Sequence, residues 1–448
     1  MKIVAAMLAL TALPAAAQQA MPGMSMPSSS SSSQSSQQET ISAQGPDLLA
    51  ETEGRAPLPL EELLTMARRQ NPTLRAARAR IAQSAGQATQ AGLLPNPVVG
   101  YQGEQIRGGS FGGGEQGGFV EQTIPLGGKL GLRREAYRAE ERTGELGLRE
   151  QEERIAGEVE RRFYAALALQ QEIELRRHLG EVAGDAALTA KQLANVGQAD
   201  APDVLQAEVE AEQAGLDTMR TERQYMASFH QLAAAAGQPD LALTRLSGTL
   251  EGTPPALNAA KSESPAVQRA DAAVAAAEAR LRSARREMVP DVTLRAGEQW
   301  NGELVRERPN VPVGAQSFAS ASIDLPLWNR NQGNIATAEA ALEQARAEAA
   351  RTRLALTQAE APLEQQYRIA AAEVQRYRTE LLPRAQHAYE LYRDRYEEMA
   401  AAYPQVLVSQ RTLFQLQVDY VRALGELSQD AALLRHFTLN GALKTSGD

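Results

Sequence analysis

The only clustered soft metal ligands in the chain are Met21, Met24 and Met26. Thioethers favour monovalent copper and silver, so this stretch either captures such ions or serves as a spacer. The four histidines, His178, His230, His387 and His436, are scattered, and none sits in a His-x3-His pair with carboxylates at ligand spacing. The absence of cysteine excludes disulfides, thiolate metal sites, iron–sulfur clusters and a cysteine nucleophile. Gly112 to Gly117 has G-x-G-x-x-G spacing. A dinucleotide site needs a strand before it and a helix opening directly after, whereas this run reads as a hairpin loop. Gly127-Gly128-Lys129 is not a phosphate loop: no glycine stands five residues before Gly128, and Leu130 replaces the Ser or Thr. These glycines instead let the chain turn from strand to helix. Carboxylates lie mostly beside arginine, as in Glu152-Glu153-Arg154 and Glu158-Val159-Glu160-Arg161-Arg162. Such runs read as solvated helix faces with i,i+4 pairs. No Ser/His/Asp arrangement stands out, so neither an enzyme nor a cofactor is expected. A net charge of −9 argues against a nucleic-acid partner.

The elements that would carry these residues are mostly helical. Aromatic residues make up only 4% of the chain, and alanine takes their place, as where helices pack closely. Residues 1–17 have a lysine, an apolar run from Ile3 to Leu13 and Ala15-Ala16-Ala17. This is a secretory signal peptide cut before Gln18. No cysteine follows, so a lipoprotein anchor is not expected. Residues 18–56, rich in Met, Ser and Gln, cannot bury enough apolar surface to fold, and read as a disordered leader.

The remainder repeats once. Pro72 and Pro97 lie 193 positions before Pro265 and Pro290, and Pro125 lies 201 before Pro326. Ala201-Pro202-Asp203-Val204-Leu205 matches Tyr403-Pro404-Gln405-Val406-Leu407 at an offset of 202. The first copy occupies 57–250, the second 251–440, and 441–448 is a tail. Ile155, Val159, Phe163, Ala166 and Ile173 recur at helical steps. A helix from Gly128 to Asn195 would run on the order of 100 Å. Pro362 and Pro383 should kink or interrupt the matching helix of the second copy. Four β-like segments, about 97–106, 117–124, 290–300 and 316–325, form two hairpins of membrane-crossing length. Four strands cannot close a barrel, and open edges are not tolerated in lipid. Several chains must therefore each donate four, giving 8 strands in a dimer or 12 in a trimer.

The duplicated unit, the Asn71-Pro72 helix start, Gln122-Thr-Ile-Pro-Leu-Gly-Gly-Lys129 and Val196-Gly197-Gln-Ala-Asp-Ala-Pro-Asp203-Val204 resemble the TolC-like outer-membrane efflux family over about residues 57–440. Leu325-Pro-Leu-Trp-Asn-Arg-Asn-Gln-Gly-Asn334 resembles its CzcC-like heavy-metal branch. The resemblance implies a mainly α fold with a small β part: a homotrimer whose 12-stranded barrel in outer-membrane lipid continues into a periplasmic α-helical barrel. It implies the exit duct of a proton-driven pump, joined by a periplasmic adaptor (membrane fusion) protein to an inner-membrane RND-type transporter. Drugs or type I secreted proteins are the alternative cargo; a soluble periplasmic coiled-coil scaffold is the alternative of another class. The family's hairpin-tip pattern implies adaptor docking at Val196, Gly197, Asp203 and Val204, and by repeat symmetry at Tyr403, Val406 and Leu407, although the second tip lacks the Val-Gly pair. The plainer alternative is ordinary turns, with Asp200 capping a helix ahead of Pro202. Asp200, Asp203, Glu397 and Glu398, tripled in a trimer, would form an acidic ring at the periplasmic entrance.

Overall fold

The computed structural model describes residues 54–106, 114–197, 199–250, 264–304, 312–398 and 403–436. The expected signal peptide, the expected leader up to residue 53, with Met21, Met24 and Met26, and the tail 441–448 lie outside the described residues.

The elements run β1 (Leu58–Pro59), α1 (Leu60–Gln70), α2 (Pro72–Ala91), β2 (Val98–Glu104), β3 (Glu115–Ile124), α3 (Lys129–Asn195), α4 (Ala201–Ala235), β4 (Leu246–Ser247), α5 (Pro265–Arg286), β5 (Val292–Leu304), β6 (Pro312–Ile323), α6 (Gln332–Arg376), α7 (Leu382–Glu397) and α8 (Tyr403–His436). The β-like segments are thus strands, paired antiparallel in the order β2-β3-β5-β6. Helices pack in the matching order, α2 on α3, α3 on α5 and α5 on α6. Each strand therefore continues into, or arises from, the helix beneath it. Strand and helix layers form one continuous wall.

The joint between layers depends on backbone that only some residues adopt. Gly127 and Gly128 have φ +71 and +73 between β3 and α3, where a side chain would be strained. In the second copy Asn331, φ +60, makes the equivalent turn into α6, since asparagine tolerates this region better than most residues. Lys129, almost fully buried, bonds Asp291 Oδ1 at 2.6 Å and so ties the start of α3 to the start of β5.

α3 is unbroken for 67 residues. Of the expected kink or interruption at Pro362, the interruption does not occur, since α6 is continuous through it. Pro362 and Gln358, whose carbonyl loses its helical donor, are both exposed, so water can satisfy that oxygen. Pro383 does leave a mark: a π-helical turn, Tyr377–Leu381, precedes it and separates α6 from α7.

The main core lies midway down α3. Leu63, Leu74, Ile155, Phe163, Tyr225 and Phe229 are fully buried there. A two-residue parallel pair, β1 with β4, braces this level and was not foreseen from sequence. Gln170 holds it by receiving the Leu246 N–H at 2.7 Å and donating to the Leu246 carbonyl at 3.2 Å.

Candidate functional site

The four-stranded sheet has two chemically distinct faces. Register places Val99, Val120, Ala296 and Ala319 in one row across it. Leu294, Ile124 and Ile323 share that face and are exposed, and Gln122 and the exposed Glu298, next to Trp300, are polar exceptions on it. Trp300 and Tyr101 stand at one end of the apolar band, and Trp328 lies just past β6 at the other, 87% exposed. From Val292 to Trp300 the strand covers about 26 Å. At the roughly 40° tilt of barrel strands that length spans about 20 Å of height, and an exposed apolar band between aromatic residues is the surface such barrels turn to lipid. The opposite face carries Glu121, Arg295, Ser320, Thr123 and Gln299 and so faces water. The edges β2 and β6 have no partner among the described residues. No described helix is long and apolar enough to cross a membrane.

Far from the sheet, two helix hairpins end in short turns. At the first, Val196 is 69% exposed and Gly197 takes φ +74 after the last turn of α3. Asp200 stands at the N-cap position of α4, but its side chain makes no capping bond; its carbonyl instead receives the Asp203 and Val204 N–H groups. Asp203, in the first turn, complements the helix dipole. At the second tip, Glu398 closes α7 and is exposed. Tyr403 begins α8; its side chain and that of Glu397 lie outside the described residues. Val406 is 7% exposed. It faces the chain's own interior and cannot present the surface the repeat symmetry implied; the exposed apolar residue on that turn is Val408. Leu407 lines a cleft between α3, α4 and α8.

Between tips and sheet, the run 158–162 is not solvated throughout. Glu158 does pair along its own helix with Arg161 and Arg162. Glu160, however, is buried and bonded by Arg435 and by His436 Nε2 at 2.7 Å, while His436 Nδ1 meets Glu153 at 2.8 Å. These bonds clamp the end of α8 onto α3. Burial opposes charging His436, but its hydrogen bonds to the two carboxylates win and raise its pKa to about 9. The His436 bond likewise lowers the pKa of Glu153. A histidine whose folded pKa is raised stabilises fully below its ordinary value near 6.5, and that stabilisation is lost as pH rises through about 9. We expect residues 420–436 to become more protease-sensitive between pH 8 and 10. His436→Gln should be sensitive already at pH 7 and show little further change; a wild-type profile flat to pH 10 would contradict the clamp.

Among the described residues no group of three His, Asp or Glu is placed to hold a metal ion. The profile of the outer membrane efflux protein family matches residues 63–238 and again 256–438. The cobalt-zinc-cadmium resistance protein CzcC of Cupriavidus metallidurans is 27% identical over 395 residues, 85% of this chain and 90% of that protein. Among solved structures, CusC superposes with a TM-score of 0.69 at 16% identity, covering 85% of this chain and 92% of CusC. The open state of MtrE from Neisseria gonorrhoeae gives 0.67 at 17% identity, covering 87% and 90%. VceC from Vibrio cholerae gives 0.66 at 18% identity, covering 85% and 96%.

Proposed function

Since the chain belongs to the outer membrane efflux protein family and is a channel rather than an enzyme, we propose that it is the outer-membrane exit duct of a tripartite, proton-driven heavy-metal efflux pump. The observation that carries the duct is the sheet: lipid-facing on one side, polar on the other, open at both edges and continuous with a helical wall. Open edges demand neighbours, and three copies supply 12 strands. A periplasmic adaptor and an inner-membrane transporter of the RND type complete the pump. Support for metal cargo is the similarity to a cobalt-zinc-cadmium resistance protein over most of both chains. A strain lacking the protein should become selectively sensitive to one or two of the Co, Zn, Cd, Ni, Cu and Ag salts. Sensitivity only to drugs or detergents would remove the metal cargo and leave the duct. Met21, Met24 and Met26 are proposed to capture Cu(I) or Ag(I). Exchanging all three for Ala in this assay should then sensitise cells to those two ions alone, and no change would refute the capture.

The adaptor is proposed to dock at Val196, Gly197, Asp203 and Val204, with Tyr403, Leu407 and Val408 at the second tip. Val204→Asp should abolish resistance while membrane levels of the trimer stay normal; unimpaired resistance would discard this surface. Asp200, Asp203, Glu397 and Glu398 are proposed to ring the entrance. Asp203→Asn should lower the preference for cations in planar bilayers, and an unchanged reversal potential would sink the ring.

A further inference from the structure

Arg295 is the only Lys or Arg on any of the four strands. Register places it on the polar face, directly across the ladder from Glu121 on β3 and Ser320 on β6. Yet it makes no ion pair among the described residues. Its guanidinium lies over the Phe119 ring, 3.7 Å from the centroid, and 5.9 Å from that of Phe318. It also donates to the side-chain oxygen of Gln102 on β2. The rings beneath it are fixed in turn. Phe119 covers Gly100, where a Cβ would come within 2.5 Å of the ring, and Phe318 covers Gly297, where a Cβ would come within 2.8 Å. Two cross-strand Phe–Gly pairs thus form a shelf that holds the guanidinium against the wall.

The same face carries three carboxylates, Glu104, Glu115 and Glu121. Glu115 receives bonds from Gln299 at 2.6 Å and Asn301 at 2.9 Å. Gln102 donates to Glu104. Three negative charges and one positive give a net −2 per chain on this wall; without Arg295 it would be −3.

We propose that Arg295 sets the ion selectivity of the barrel, as a belt of three stacked guanidinium groups that limits the cation preference of an otherwise acidic bore. Charged side-chain rings select ions in pores generally. A 12-stranded barrel is narrower than the 16-stranded porins, and fixed charges on its wall act across roughly a Debye length, about 10 Å at 0.1 M salt and 30 Å at 0.01 M. Stacking on Phe119, in place of pairing with Glu121, leaves this charge without a carboxylate partner among the described residues.

The inference rests on the trimeric-duct reading, and the test separates the two. Full-length protein is inserted into planar bilayers under a KCl gradient, and the cation-to-anion permeability ratio is read from the reversal potential. Arg295→Gln should raise the ratio about twofold or more, with a larger effect at 0.01 M than at 1 M salt. Arg295→Lys should stay near wild type. Ser320→Asp, which leaves Arg295 on its shelf and adds a countercharge beside it, should shift the ratio in the same direction as Arg295→Gln. Channels that insert normally with an unchanged ratio in both Arg295→Gln and Ser320→Asp overturn the belt. If Arg295→Gln fails to insert, Ser320→Asp alone decides. Failure of the wild-type protein to form channels at all would instead remove the duct reading.

Discussion

Gly117→Ala is expected to abolish barrel assembly, whereas Gly118→Ala, one residue further along the same strand, is expected to be tolerated. The two glycines are the third and fourth residues of the ten-residue β3 and point to opposite faces of the sheet. A Cβ at Gly117 would lie 2.0 Å from the Glu298 carbonyl oxygen and 2.5 Å from the Gln299 Cα. Both are backbone atoms of the paired strand and cannot swing aside as a flexible side chain would. A Cβ at Gly118 meets nothing closer than the Gly100 carbonyl oxygen at 3.8 Å, an ordinary contact. Relieving the first clash means parting β3 from β5, the pairing that joins the two hairpins and hence the two halves of the chain. In lipid an unpaired backbone group costs several kcal/mol, and a trimer would carry the defect three times. Gly117→Ala should yield no heat-modifiable trimer in outer-membrane fractions, and Gly118→Ala a normal one. Equal yields of the two variants would show that the ladder adjusts to the added methyl group.

The same strand shows why much of this fold is legible in sequence and part of it is not. The long helices and the hairpins announce themselves through local pattern. Prolines recur at offsets of 193 to 202, and the apolar residues from Ile155 to Ile173 keep helical step. Accordingly α3 runs unbroken to Asn195, ahead of the left-handed Gly197. What stays hidden depends on partners distant in sequence. β1 and β4 are two residues each and lie 188 positions apart, with no pattern long enough to detect. Glu160 and Glu158 look alike in an Arg/Glu run. Only the arrival of Arg435 and His436, some 275 residues later, makes one of them a buried anchor. Val204 and Val406 match in the repeat, but α8 packs its copy inward. Gly100 and Phe119, or Gly297 and Phe318, become recognisable pairs only once register sets them side by side.

Glu172 carries the second large effect, because it is a buried charge at the centre of an ion network that links α3 to α8 and, through Arg176, to α4. It is 1% exposed. Arg176, one turn along α3, donates to it through Nε at 2.7 Å, and Arg422 of α8 binds both its oxygens, at 2.8 and 3.0 Å. Arg176 also reaches Asp217 of α4 at 3.3 Å. α8 is thus tied to α3 through the Glu172 carboxylate, and α4 to α3 through Arg176 and Asp217, beside a cleft lined by Arg176, Asp217 and Leu407. Removing one partner of a buried ion network costs about 3–5 kcal/mol, because the remaining charges are left uncompensated. Glu172→Ala leaves Arg176 with Asp217 as its remaining carboxylate and takes from Arg422 the carboxylate it binds through both oxygens. The half-exposed Arg422 can turn to water, which places the expected loss near 3 kcal/mol per chain, the lower end of that range. Replacing a buried ion group by apolar residues of similar volume is often neutral. The triple variant Glu172→Leu, Arg176→Met, Arg422→Leu should therefore recover most of the stability lost by Glu172→Ala alone, measured as the midpoint of trimer dissociation in urea. If the single variant lost less than about 1 kcal/mol, the carboxylate would be as weak a tie as an ordinary surface ion pair, and α8 would be held to α3 by apolar packing alone.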